Sequence, residues 1–348
     1  MNASLAATEA DLQPGAATVS HEEDATRSPG AARARSILIL GKPTETNRAL
    51  VAAFVGLGHR ARLAYASPLP RLERGNVVIG RVDVLPTLDG IEPGLRLISQ
   101  LERRGVPVLN RPTALFAAHD KLSTALFLGR AGVAQPRTSH VRDVSIPSFD
   151  PPYVVKPRFG SWGLEVHLSR DEDELRALLI RLREQPWFRR QGALVQSLVE
   201  PRGRDLRVIV AAGRVVGAIE RRALPGEWRT NVSLGAVRRQ VKPSLAARAL
   251  ALRAVAALGI DLAGVDIAGD EAGRMSVLEV NGAVDFTPEY GADVFTSVAT
   301  ALLRRAAARE TAASRRREQP VHAEAVGDGA HTEYGADCLD VVGFAALS

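Results

Sequence analysis

Strand-like and helix-like patterns alternate over the first third of the chain. Ser36-Ile37-Leu38-Ile39-Leu40 is an unbroken apolar run closed by Gly41, the signature of a strand buried on both faces. Asn47 to Leu57 then repeats apolar residues at helical spacing (Leu50, Phe54, Leu57), and Gly58 ends it. Short strands are expected again at residues 62–65, 77–79 and 106–109, with a helix over 94–104 between the last two. Strands alternating with helices predict a parallel sheet covered on both faces. Pro112 is placed to open a further helix that carries Leu115, Leu122, Leu126 and Phe127 and ends near Gly132.

The pattern changes after a proline-rich connector at 142–152. From Tyr153 onward strands and turns dominate, at 153–156, 164–168, 193–198, 206–211 and 215–221, with Ala212-Gly213-Arg214 as a hairpin turn. A helix is expected from Leu245 to Leu258, stopped by Gly259. Two strands at 265–267 and 275–280 then flank a Gly/Asp turn, and a last helix runs from Val294 to about Ala308. Residues 1–35 lack any sustained period and read as a disordered tail. Charge runs and glycines make 310–348 a flexible tail. The expected organisation is therefore an N-terminal αβ domain over 36–111, a central unit over 112–200 and a C-terminal unit over 201–309, mixing α/β and α+β character.

Composition narrows the class. With 46% hydrophobic and 24% charged residues the chain is ordinary for a globular protein. No apolar run approaches the ~18–20 residues of a membrane helix, and acids at Glu9, Asp11, Glu22, Glu23 and Asp24 argue against a signal or transit peptide. A single cysteine, Cys338, excludes an intrachain disulfide and fits a cytoplasmic location. The net charge of +6 suits an acidic partner. Basic runs without aromatic stacking platforms argue against nucleic acid. Only Lys42, Lys121, Lys156 and Lys242 among the 45 basic residues are lysines, so a lysine here marks a place where a compact ammonium matters.

Three clusters carry chemistry. Lys156 ends a strand and leads into Arg158-Phe159-Gly160-Ser161-Trp162-Gly163, whose two glycines three apart allow an open, phosphate-approaching backbone. No GKS or GKT follows, so a P-loop is excluded. Folding the 265–280 hairpin about Ala272 sets Asp266 opposite Glu279, while Glu279 and Asn281, two apart, share its face. Two carboxylates and an amide converging there suit Mg²⁺. Asp205 and Arg207 alternate on one strand, Arg221 and Arg222 end the next, and Asn231 follows, a set able to clamp phosphate and carboxylate.

Taken in order, these residues resemble the RimK-like branch of the ATP-grasp superfamily. The order is Asp120-Lys121, Lys156 with its Gly-Ser-Trp-Gly loop, Val195-Gln196-Ser197-Leu198-Val199-Glu200, Asp205-Leu206-Arg207, Glu220-Arg221-Arg222, Asn231, Asp266 and Glu279-Val280-Asn281. The likeness spans roughly Ser36 to Arg309. The loop and the run Glu279 to Phe286 look closer to the amino-group carrier protein ligases (LysX-like) than to ligases that glutamylate a ribosomal protein. The resemblance implies an ATP-grasp fold with an N-terminal parallel αβ (pre-ATP-grasp) domain. It implies that Lys121 and Lys156 hold the α- and β-phosphates under the Gly160, Ser161 and Gly163 loop. Gln196, Ser197, Leu198 and Val199 would meet adenine, Glu200 the ribose, and Asp205 would belong to the same nucleotide site. Asp266, Glu279 and Asn281 would bind two Mg²⁺, with Mn²⁺ an acceptable substitute. Arg207, Arg221 and Asn231 would face the γ-phosphate and the acyl phosphate.

The implied activity is that of an ADP-forming ligase joining an acidic amino acid, glutamate or aminoadipate, to a carboxylate on a small carrier protein, a protein C-terminus or a cofactor, in a chain compatible with homo-oligomers. The alternative is an ATP-grasp protein that binds nucleotide without turnover. Two departures bear on it: Ser197 stands where relatives carry glutamate, and Leu234-Gly235-Ala236 where they carry arginine-glycine-glycine.

Overall fold

The computed structural model describes residues 34–65, 75–199, 203–270 and 272–318. Its first unit is the expected parallel sheet. Strands β1 (Ser36–Gly41), β2 (Arg60–Ala64), β3 (Asn76–Arg81) and β4 (Val108–Leu109) lie in the order β2-β1-β3-β4. All neighbours are parallel, and helices α1 (Glu45–Gly56) and α2 (Gly94–Arg103) provide crossovers. Thr44 starts α1 by accepting a hydrogen bond from Asn47 N, a standard N-cap.

The helix expected from Pro112 is two helices, α3 (Pro112–His119) and α4 (Lys121–Arg130), broken at Asp120. Asp120 is extended at the break and caps α4, because its carboxylate accepts from Leu122 N and Ser123 Oγ. Leu115 packs on the N-terminal sheet, while Ala114, Ala117, Ala118 and Leu128 pack with the later helix Leu245–Leu258.

The central sheet contains β5 (Thr138–Val141), β6 (Tyr153–Pro157), β7 (His167–Ser169) and β8 (Ala193–Ser197), in the order β5-β8-β6-β7 and antiparallel. Two helices, α5 (Glu172–Leu182) and α6 (Pro186–Gln191), interrupt what the strand-and-turn reading treats as continuous. The signals for α5 were present. Asp171 accepts from Glu174 N, Glu174 answers by accepting from Arg170 N, and Leu175, Leu178, Leu179 and Leu182 form a buried stripe. The strand expected from Leu164 begins only at His167, because Trp162 to Glu165 form turns.

A five-stranded antiparallel sheet follows: β9 (Arg204–Ala211), β10 (Arg214–Arg222), β11 (Val237–Gln240), β12 (Leu262–Gly269) and β13 (Met275–Asn281), in the order β11-β10-β9-β12-β13. Ala212 and Gly213 both have positive φ, as a two-residue type I′ hairpin demands. Helix α7 (Leu245–Leu258), bounded as expected, covers one face. The other face packs Ile209, Ala211, Ile219 and Leu262 against α1 and the last helix, α8 (Val294–Glu318). That helix runs past Arg309, so the expected start of the flexible tail moves outward. Its later turns are tethered: Glu310 takes two bonds from Arg35, and Arg309 donates to Val108 O and Asp261.

Asn110 joins the N-terminal sheet to this one. It has φ 55° and is 0% exposed. Its amide donates to Leu262 O and Gly282 O and accepts from the N–H groups of Asp261 and Leu262. Asn110→Ala leaves several buried groups unsatisfied and forces a strained φ, at on the order of 3 kcal/mol or more. Urea denaturation should show a lower midpoint with an unchanged slope.

Candidate functional site

The central and C-terminal sheets face each other across a cleft of about 390 Å³, within the range of small-ligand sites. Every described residue of the expected site lines it: Lys121, Lys156, the Gly160–Gly163 loop, Gln196 to Val199, Asp205, Arg207, Arg221, Asn231, Asp266, Glu279 and Asn281. Glu200, expected at the ribose, lies outside the described residues.

Lys156 sits at the end of β6 and is 8% exposed. Its ammonium donates to Leu278 O at 3.3 Å, and among the described residues no carboxylate lies within ion-pair distance. Burial pushes its pKa down to about 8, against the pull of Glu279. A buried charge in that condition is costly and calls for an anion. Lys121 leaves the first turn of α4, where Arg158 grips Asp120 at 2.6 and 2.7 Å and fixes the helix start. The Lys121 ammonium donates to Gly160 O and pairs with Glu279 at 3.2 Å.

The glycine loop takes a form only partly expected. Gly163 has positive φ, whereas Gly160 is not in that region, and the non-glycines Trp162 and Glu165 are. A Cβ on Gly163 would lie 2.6 Å from Asn231 Oδ1, and Ser233 Oγ donates to Trp162 O. The phosphate-type loop and the Asn231 loop therefore close over the cleft together.

On the C-terminal sheet the register is the one read from the hairpin. Asp266 pairs with Glu279, and Gly264 with Asn281. A bulge after Asp266 leaves Leu278 unpaired with β12 and turns its carbonyl to Lys156. Arg207 stands across β9 from Asp266 and binds it bidentately at 2.7 Å. Arg221 binds Asp205 and also donates to Asp266 at 2.8 Å, and Thr230 donates to Asp205. Burial alone would raise the Asp266 carboxyl, but Arg207 and Arg221 hold it well below the usual carboxylate range. Asp266 accepts three such bonds of the roughly four a carboxylate can take, leaving a lone pair on Oδ1.

Sequence reasoning took the arginines as free clamps, and pairing across strands corrects it. Arg222 binds Glu220 outside the cleft, and Arg229, on the cleft wall, binds Glu227. At the expected adenine edge, Ser197 N donates to Arg137 O and Leu198 N to Pro152 O, so those two donors are committed to the protein. Sequence reasoning also missed Asp83, Arg238, Asp285 and Tyr290 in the cleft wall. Asp83 comes from the N-terminal sheet, and only the folded topology brings it there.

The donor set fits a magnesium-bound nucleotide. Two carboxylates and an amide oxygen lie on the adjacent strands β12 and β13, and all three line the cleft with the two ammonium groups suited to phosphate. Among the described residues no three His, Cys, Asp or Glu gather into a metal cluster. No described helix is long and apolar enough to cross a membrane.

Two antiparallel sheets closing on a cationic cleft beside a parallel αβ unit are the ATP-grasp architecture. Solved ATP-grasp structures share it. The RimK domain protein of Sphaerobacter thermophilus DSM 20745 superposes with a TM-score of 0.57 at 22% identity, over 77% of this chain and 99% of that one. D-alanine–D-alanine ligase of Bacillus anthracis complexed with ATP gives 0.59 at 14%, over 80% and 99%. The RimK-like ATP-grasp domain model matches residues 118–304, more than half of the chain. The chain belongs to the RimK-like ATP-grasp family. A probable alpha-L-glutamate ligase of Cellvibrio japonicus (strain Ueda107) is 30% identical over 238 residues, 61% of this chain and 75% of that protein. The tetrahydromethanopterin:alpha-L-glutamate ligase of Methanosarcina acetivorans is 28% identical over 193 residues, 49% of this chain and 58% of that protein. The chain spans about three fifths of the length of the first curated relatives it matches.

Proposed function

We propose that this protein is an ADP-forming carboxylate–amine ligase that joins an acidic amino acid to a carboxylate acceptor. The observation that carries the reading is Lys156, a buried ammonium in the cleft with no carboxylate within ion-pair distance among the described residues. A phosphate chain supplies that anion. Lys121 and the Gly160–Gly163 loop lie beside the same space, and Gln196 to Val199 line the cleft where the base would rest.

In the first step the acceptor carboxylate attacks the γ-phosphate of ATP in line, giving an acyl phosphate and ADP. In the second the amine attacks the acyl carbon, and inorganic phosphate leaves. Magnesium, held by Asp266, Glu279 and Asn281, would supply charge neutralisation at the phosphates. The protein's own work is positioning. Arg207 and Arg221, fixed by Asp266 and Asp205, present rigid donors to the transferring group. The Trp162 and Asn231 loops, joined through Ser233, cover the cleft and exclude water that would hydrolyse the intermediate. The domain units of the sequence reading serve this scheme, with nucleotide between the central and C-terminal sheets. The glutamate ligases among the relatives support an acidic amino acid, as do the arginines of the cleft wall.

The test is phosphate release with ATP, Mg²⁺, a glutamate-terminated peptide as carboxylate and a panel of amino acids. Glutamate or α-aminoadipate should give the fastest release, with a mass shift on the peptide. Preference for neutral or basic amino acids would overturn the substrate assignment.

A further inference from the structure

Arg207, Arg221, Arg229 and Arg238 lie on the C-terminal sheet and its loops, each paired with a carboxylate. At the seam with the N-terminal domain the cleft instead presents two carboxylates, Asp83 and Asp285. Among the described residues neither carboxylate accepts a hydrogen bond from a cation. Asp285 Oδ1 accepts from Thr44 Oγ1 at 3.1 Å, and its cationic neighbour, Arg81, stands 3.8 Å away. Arg81 donates to the neutral acceptors Asn47 Oδ1 and Val284 O, and its buried Nη1 has no hydrogen-bond partner among the described residues. Asp83 Oδ1 accepts from Val84 N, and His119 Nδ1 is 3.9 Å away. Burial lowers the pKa of His119, which keeps that imidazole neutral. Among the described residues no donor reaches Oδ2 of either aspartate.

Both aspartates are anchored to one piece of backbone, the connection from β1 to α1. Thr44, which caps α1, holds Asp285. Glu92 accepts from Asp83 N and pairs with Lys42. They therefore sit where β1 and β3 end side by side and the strand order of the parallel sheet reverses, the place where open α/β sheets take ligands. The same cleft holds the buried ammonium of Lys156, which among the described residues has no carboxylate within ion-pair distance and marks the phosphate end of the ligand space.

Resting on the ligase reading above, we infer that Asp285 and Asp83 form the subsite for the ammonium group of the incoming amino acid. Each Oδ2 can accept from one of an ammonium's three donors. An amino acid so held extends its side-chain carboxylate toward the arginines of the opposite wall, which sets both its orientation and its preference for a charged amine. Asp285 is the dominant contact, since its carboxylate is the more exposed of the two.

Hydroxylamine separates this role from a structural one, because it is an uncharged nucleophile at neutral pH and needs no carboxylate counter-ion. With ATP, Mg²⁺ and the glutamate-terminated peptide, hydroxamate and glutamate adduct are measured side by side in wild type, Asp285→Asn and Asp285→Glu. In Asp285→Asn the ratio of glutamate adduct to hydroxamate should fall at least about tenfold, through KM for glutamate, and Asp285→Glu should restore part of it. That corresponds to losing one charge-assisted hydrogen bond. An unchanged ratio, whether both products persist or both fall together, overturns the assignment. A wild-type protein that makes neither product overturns the ligase reading itself, and the inference with it.

Discussion

Glu279→Gln is expected to lower kcat by about 10²–10³-fold, the scale of removing one preorganised electrostatic group from a transition state. Glu279 is the residue that register places opposite Asp266, and its carboxylate meets the Lys121 ammonium at 3.2 Å. Asp266 has most of its lone pairs committed to Arg207 and Arg221, so Glu279 is the freer anionic oxygen donor of the pair. Replacing it with an amide keeps shape and hydrogen bonding but removes the charge that hard cations prefer. Activity should also need more Mg²⁺ to saturate. The measurement is phosphate release against Mg²⁺ concentration, with circular dichroism as the control for folding. Near-normal turnover at ordinary Mg²⁺ would remove Glu279 from the proposed metal set.

The Asp266–Glu279 pairing was legible because hairpin arithmetic is local: a turn near residue 272 and a period of two fix which residues meet. The lysines were legible through scarcity, since a chain with so much arginine spends lysine at few places. What the sequence could not disclose is which charges cancel. Arg207 and Arg221 are written as cations, and only the order β10-β9-β12 shows them bound to Asp205 and Asp266. Asp83 was invisible for the same reason, because it reaches the cleft from another sheet. The missed helix α5 is a different failure. Its cap at Asp171 and its leucine stripe were readable, and the strands on either side of it drew the reading away. The break at Asp120 was also local, for a capping aspartate before Lys121 ends one helix and begins another.

Lys156→Met should make the free protein more stable and the nucleotide-bound protein less so. In the ligand-free fold the Lys156 ammonium is buried with the Leu278 carbonyl 3.3 Å away as its hydrogen-bond partner among the described residues, and its pKa is pushed down to about 8 from 10.5. Below pH 8 both folded and unfolded chains carry the proton, and the cost of burying the charge is fully present. Between pH 8 and about 10.5 the folded chain gives up a proton that the unfolded chain keeps, so this group makes wild-type stability rise with pH across that window. Methionine fills similar volume without charge, and its variant should start higher and lack that rise. With ATP or ADP and Mg²⁺ the order reverses. Losing a charge-assisted phosphate contact costs ~1.5–3 kcal/mol, about 10–100-fold in Kd. Lys156→Arg should fare little better for nucleotide. A guanidinium seeks several acceptors where the structure offers Leu278 O. Thermal melts over pH, with and without nucleotide, read both variants against the wild type. A methionine variant that melts lower than wild type when free, or gains as much from nucleotide, would show that Lys156 is a structural cation rather than a phosphate ligand.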